Sequence, residues 1–181
     1  MEFRKVEPGF ADMARLDNLN REAFPPGEYV ETEYLLERAG QGYFDFWALY
    51  DKPGFIGFMV VVPHGDLAYL SFFAIEAGLR SQGYGSAALQ ELPRIYPAYK
   101  QLVDIEMTDE KAGNNLQRVH RRGFYLRNGY RPTGQFLSYF GGSFEMLIKG
   151  GEFELEAYKR LVASLNVPEF KPVYFTKEDF S

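Results

Sequence analysis

The sequence predicts one mixed α/β domain with a mostly antiparallel sheet, and three observations carry that expectation. The apolar runs at residues 44–50 and 55–62 flank Asp51-Lys52-Pro53-Gly54, a strong turn signal, and so form an antiparallel hairpin. From Leu67 the patterns alternate: strand 67–75, helix 86–96, strand 102–107, helix 116–128. That order implies a right-handed crossover and at least two parallel strands. Residues 131–148 then form a second hairpin pattern around Gly141-Gly142.

The remaining elements follow in order. Residues 3–6 suit a short strand closed by Pro8-Gly9. Residues 11–24 place Met13, Leu16, Leu19 and Ala23 at helical spacing and stop at Pro25-Pro26. A second helix is expected over 29–39, with Gly40 as its stop. Residues 67–75 are almost continuously apolar, as in a strand covered on both faces. Pro93 should kink or end the helix that contains it, and Gly129 should close the one before it. Residues 152–165 suit a terminal helix, whereas the aromatic tail after Pro168 has no clear assignment. No repeat, low-complexity stretch or linker divides the chain, so residues 1–181 are expected to form a single domain.

Composition narrows the chemistry. There is no cysteine, which excludes disulfides, thiolate metal sites and a cysteine nucleophile. The only histidines are His64 and His120, too few for a multi-histidine metal site, so no metal is expected. A formal charge of −5 argues against nucleic acid as a partner and is compatible with an amine substrate. Residues 1–7 lack the apolar stretch of a signal peptide, and the apolar run 55–62 is broken by Gly57 and stopped by Pro63. The expectation is a cytoplasmic protein with no membrane partner.

The chemistry concentrates in Arg80-Ser81-Gln82-Gly83-Tyr84-Gly85-Ser86, a glycine turn between a strand and a helix. Glycines let backbone approach a phosphate, and the first N–H groups and dipole of the following helix favour negative charge. Taken alone, Gly-x-Gly is as readily a flexible connection. A P-loop requires a lysine after its second glycine, but Ser86-Ala87 follows Gly85. Gly83-Tyr84-Gly85-Ser86-Ala87-Ala88 formally fits the dinucleotide pattern, with Asp104 about 20 residues on. Against that reading, the lead-in from Ile75 is long and polar, and Asp104 lies inside its strand rather than at its end.

The run Leu70-x4-Ile75-x4-Arg80-x2-Gly83-x-Gly85-Ser86-x2-Leu89 resembles the acyl-CoA-binding motif of the GNAT superfamily of N-acyltransferases. Phe124-Tyr125-Leu126-Arg127-Asn128-Gly129-Tyr130 is similar to that superfamily's later Tyr-x3-Gly-aromatic segment. The likeness covers about residues 1–150; residues 151–181 lie beyond it. It implies a central mixed, mostly antiparallel sheet with helices on both faces. In that sheet the strand at 67–75 carries a bulge and splays from the parallel strand at 102–107. Backbone groups near Ala74 and Ile75 would bond the pantetheine arm like an added strand, with an amide near Ile75 facing the developing oxyanion. N–H groups of Gln82, Gly83, Tyr84, Gly85 and Ser86 would hold the pyrophosphate, with Arg80 adding charge.

The reaction implied is direct attack of a neutral amine on the thioester of acetyl-CoA or another acyl-CoA. Tyr125 matches the superfamily's acid for the departing thiolate, a phenol being protonated at neutral pH; the bland alternative is a core aromatic on an amphipathic helix. Glu106 is the candidate base or substrate-binding group. It shares a strand face with Asp104 and stands nearer the open end. Arg118, Arg121 and Arg122 on the next helix would equally make these acids a structural network. The superfamily often has Asn where this chain has Arg118. The acceptor implied is a small-molecule or protein amine, and a homodimer follows by analogy. The alternative function is a non-catalytic acyl-CoA-binding protein of the same fold.

Overall fold

The computed structural model describes residues 1–180 and contains eight strands and five helices among them. The described residues pack as two compact units, residues 1–63 with 69–97, and residues 64–68 with 98–180.

In the first unit the strand order is β1 (Glu2–Lys5), β2 (Asp45–Asp51), β3 (Gly54–His64), β4 (Leu67–Ile75). The pairs β1–β2 and β2–β3 are antiparallel, as the Pro53-Gly54 turn predicts. Helix α1 (Met13–Ala23) buries Leu16 and Leu19, and α2 (Thr32–Gly40) buries Leu35. These side chains join Phe46, Phe58 and Val60 of the sheet in one core. Its rings meet edge-on, Phe46 on Phe58 at 5.8 Å and Phe24 on Phe72 at 5.0 Å, an arrangement that the ring quadrupoles favour.

Helix α2 starts at Thr32, three residues later than its apolar spacing suggests. The cause is a long-range tie. Asn20, buried in α1, donates from Nδ2 to the Val30 carbonyl at 2.8 Å and to Thr32 Oγ1 at 3.1 Å, and Thr32 in turn donates to Asp17 at 2.7 Å. Residues 25–31 are thereby committed to a turn. Along β2, the indole N–H of Trp47 donates to the Tyr96 hydroxyl at 2.8 Å, and that hydroxyl donates to Asp45 at 2.7 Å. Helix α3 (Tyr84–Ile95) ends two residues past Pro93, in keeping with the stop that proline imposes.

In the second unit the order is β5 (Lys100–Glu106), β7 (Gly142–Lys149), β6 (Arg131–Tyr139), β8 (Val173–Thr176), with all three pairings antiparallel. Helix α4 (Asn115–Arg127) leads into β6, and α5 (Leu155–Ser164) buries Tyr158 and Leu161. Lys100 ties residues 64–68 to this unit: its N–H donates to the Asp66 carbonyl at 2.7 Å and its ammonium pairs with the Asp66 carboxylate at 2.7 Å. Strand β8 comes from the unassigned tail. It is four residues long, too short to show alternation, and is fixed by pairing with β6 and by Phe175 stacking on Phe136 at 5.7 Å. Among the described residues no helix is long and apolar enough to cross a membrane.

Candidate active site

The expected acyl-CoA-binding residues come together in the first unit. β4 runs into a 3-10 turn (Ala77–Leu79), then an extended Arg80, and then the loop that opens α3. Two residues there have left-handed backbone, Ser81 at φ 61° and Gly83 at φ 89°. A side chain other than glycine's tolerates that conformation at a cost of about 1–2 kcal/mol, which marks Ser81 as a position whose shape is imposed from outside.

Gly83 caps α3 without a side-chain hydrogen bond, and no acid stands in the first turn. The N–H groups that open a helix have no partner within it, so the start of α3 at Tyr84 and Gly85 lies at the positive end of the dipole. Gln82 braces the turn by donating from Nε2 to the Gly78 carbonyl at 2.8 Å. Arg80 is engaged elsewhere: its Nε donates to the Ile75 carbonyl at 2.9 Å and its Nη2 pairs with Glu22 at 3.1 Å. The Arg80 guanidinium thus ties the end of β4 to α1.

The expected catalytic residues lie in the second unit. Glu106 ends β5 with its side chain 15% exposed. Its Oε1 pairs with Arg118 at 2.9 Å and its Oε2 with Arg121 at 3.0 Å. Arg118, in turn, donates to Asn114 Oδ1 at 2.8 Å and to the Met107 carbonyl at 2.9 Å. Asp104, two residues back on the same face, accepts from the Tyr139 hydroxyl at 2.6 Å. Arg122 reaches a different acid, Glu145 of β7, through two bonds of 2.7 and 3.1 Å. The arginines of α4 thus hold carboxylates on β5 and β7.

Tyr125 is 5% exposed and lies in the last turn of α4. The spacing that drew attention to it in the sequence has a physical cause here. Tyr130 N–H donates to the Tyr125 carbonyl at 3.1 Å and Gly129 N–H to the Leu126 carbonyl at 3.1 Å, with Gly129 at φ 86°. This is a Schellman stop, and its usual apolar contact is made by the Tyr125 and Tyr130 rings, edge-on at 5.2 Å. The Tyr130 hydroxyl donates to buried Gln101 at 2.8 Å, which anchors the whole corner to β5. Burial pushes the Tyr125 phenol well above its ordinary range; nearby Arg121 opposes this and Asp104 adds to it.

Residues 42–132 match the family model for the acetyltransferase (GNAT) domain. The chain belongs to the GNAT acetyltransferase family. No curated protein matches it in sequence. Among solved structures it is similar to a putative GNAT-family acetyltransferase from Bacteroides thetaiotaomicron, at 22% identity and a TM-score of 0.71, covering 91% of this chain and 96% of that one. An aminoglycoside 6'-N-acetyltransferase complexed with coenzyme A gives 16% identity and a TM-score of 0.64, over 82% of this chain and 96% of that one. The ribosomal-protein-alanine N-acetyltransferase of Brucella melitensis gives 17% identity and 0.58, over 82% and 99%. At these identities the likeness is one of fold. The GNAT domain match stops at residue 132, whereas the structural likeness to the Bacteroides protein spans nearly the whole chain.

Two arrangements around these residues were not foreseen from the sequence. Arg15 of α1 grips both carboxylate oxygens of Glu76, and the Tyr139 hydroxyl donates to Asp104. Neither has a local signal, since the partners stand 61 and 35 residues apart.

Proposed function

We propose that this GNAT protein transfers an acyl group, acetyl in the first instance, from acyl-CoA to a primary amine. The observation that carries the reading is the left-handed turn at Ser81 and Gly83, which opens α3 with no side-chain cap and no acid in its first turn. Such an end suits a pyrophosphate, and the fit draws support from a solved relative complexed with coenzyme A. In this reading backbone at Ala74 and Ile75 receives the pantetheine arm, and N–H groups of Gln82, Gly83, Tyr84, Gly85 and Ser86 hold the pyrophosphate. Arg80 serves by fixing the Ile75 carbonyl.

The bound thioester supplies an activated acyl group, and the work left to the chain is proton management. Tyr125 donates a hydrogen bond to the sulfur as the thiolate departs. Burial makes its phenol a weak acid, so it stabilises the thiolate by donation more than by surrendering its proton outright. Glu106 is the carboxylate assigned to the amine, either accepting its proton through water or holding the ammonium before attack.

The pairing of both Glu106 oxygens with arginine favours a second reading, an acyl-CoA-binding protein without turnover. A panel of polyamines, aminoglycosides, amino acids and peptides incubated with acetyl-CoA, followed by free-thiol release, decides between them. The acceptors printed for relatives range from an aminoglycoside to a ribosomal-protein alanine, so the panel must span both small and protein amines. With a substrate in hand, Tyr125→Phe is expected to lower kcat about a hundredfold with acetyl-CoA affinity unchanged. Unchanged turnover would remove Tyr125 from the mechanism.

A further inference from the structure

Strand β3 is irregular beside the end of β4. Tyr50 pairs with Phe55 and Leu49 with Gly57, which leaves Ile56 as the extra residue of a bulge. The Ile56 carbonyl accepts from the Glu76 N–H at 2.9 Å. Its neighbour Gly57 is buried and has no room for a side chain. A Cβ there would overlap the Ala74 carbonyl oxygen and stand 3.1 Å from both Cα and Cδ1 of Ile75. Gly57 does not have a positive φ, so the position needs glycine for space and not for backbone freedom.

The same short segment is held from two further directions. Arg80 Nε donates to the Ile75 carbonyl at 2.9 Å. Arg15 pairs with Glu76 through Nε–Oε1 at 3.1 Å and Nη2–Oε2 at 2.8 Å, and its Nη2 also donates to the Phe55 carbonyl at 3.1 Å. Residues 74–76 are therefore fixed by a helix, a neighbouring strand's bulge and the turn that follows. A strand that merely ends needs none of this. Backbone held so firmly is what a preorganised set of donors and acceptors requires, because groups that need not reorganise act at full strength.

We propose that Gly57 and Arg15 are positioning residues for acyl-CoA, setting the backbone of Ala74 and Ile75 in the geometry that receives the thioester arm. The inference rests on the reading of Ala74 and Ile75 as acyl-CoA-binding backbone. Gly57 makes the close approach of β3 and β4 sterically admissible, and Arg15 locks Glu76 so that the approach is kept.

The test is acetyl-CoA affinity by titration calorimetry, alongside amide hydrogen exchange over β4. Gly57→Ala is expected to weaken acetyl-CoA binding about tenfold and to speed exchange at residues 74–76, with the acceptor's KM unchanged. Arg15→Ala lies at the surface and covers the case in which Gly57→Ala does not fold. It is expected to weaken acetyl-CoA binding about threefold, with partial recovery in Arg15→Lys, which keeps one contact to Glu76. If folded variants lose only thermal stability and bind acetyl-CoA as the native chain does, the proposal is overturned and the acyl-CoA reading stands. If the native chain itself does not bind acetyl-CoA, both are overturned.

Discussion

Tyrosine burial sets how this protein responds to alkali. Burial and the hydrogen bond to Asp12 push the Tyr50 phenol up to about 12, and burial raises Tyr125 and Tyr130 as well. A phenol raised in the folded state is neutral there while its unfolded counterpart ionises. The stability it contributes is full below the unfolded pKa of about 10 and is lost as pH rises toward the folded value. Melting temperature is therefore expected to hold to about pH 9.5 and to fall steeply toward pH 12, and Tyr50→Phe should make that fall shallower. The same shift keeps Tyr125 protonated through the neutral range, so an alkaline limb in kcat/KM below about pH 9 would have to come from another group. Glu106→Gln separates the two roles left to that residue. A base loses kcat, whereas a member of the Arg118–Arg121 network loses stability with turnover retained.

At the scale of elements, the start of α3 and the end of α4 are built from opposite devices. α3 begins on a left-handed glycine that offers no side chain to cap it, and α4 ends on a left-handed glycine with the carbonyls of Phe124, Tyr125 and Leu126 satisfied. Gly129→Ala is expected to destabilise the protein by about 1–2 kcal/mol in urea unfolding, since alanine must adopt φ 86°. Gly83→Ala carries a similar strain at φ 89° with open space around its Cβ, so it should cost similar stability and, in addition, weaken acetyl-CoA binding. Both glycines were legible in the sequence because helix stops and starts are local signals. The onset of α2 was not, because Asn20 sets it from another helix by bonding to Val30 and Thr32. Strand β8 was hidden for a related reason, its four residues being defined by β6 and not by their own pattern.

At the scale of the molecule, ligand binding and folding are linked. Acetyl-CoA at about a hundred times its Kd should stabilise the protein by about 2.7 kcal/mol, read as a rise in melting temperature that pyrophosphate alone reproduces only in part. The sequence made the mixed α/β class and both glycine motifs visible, since each is written in a continuous stretch. It left open whether the acids of β5 serve catalysis or structure, because Arg118, Arg121 and Tyr139 reach them from separate elements. The clamp of Arg15 on Glu76 was invisible for want of any nearby pattern at residue 15.

The bond between Trp47 and Tyr96 has an optical consequence. Trp47 is the chain's one tryptophan, and its indole N–H is tied to the residue that caps the C-terminal end of α3, the far end from the glycine turn. The Lys5 ammonium stands 5.3 Å over its ring and Phe3 meets it edge-on at 6.1 Å. A single fluorophore so placed senses any loosening or tightening of α3, because the hydrogen bond and the nearby charge both tune its emission. The protein thus carries its own unlabelled reporter of that helix end.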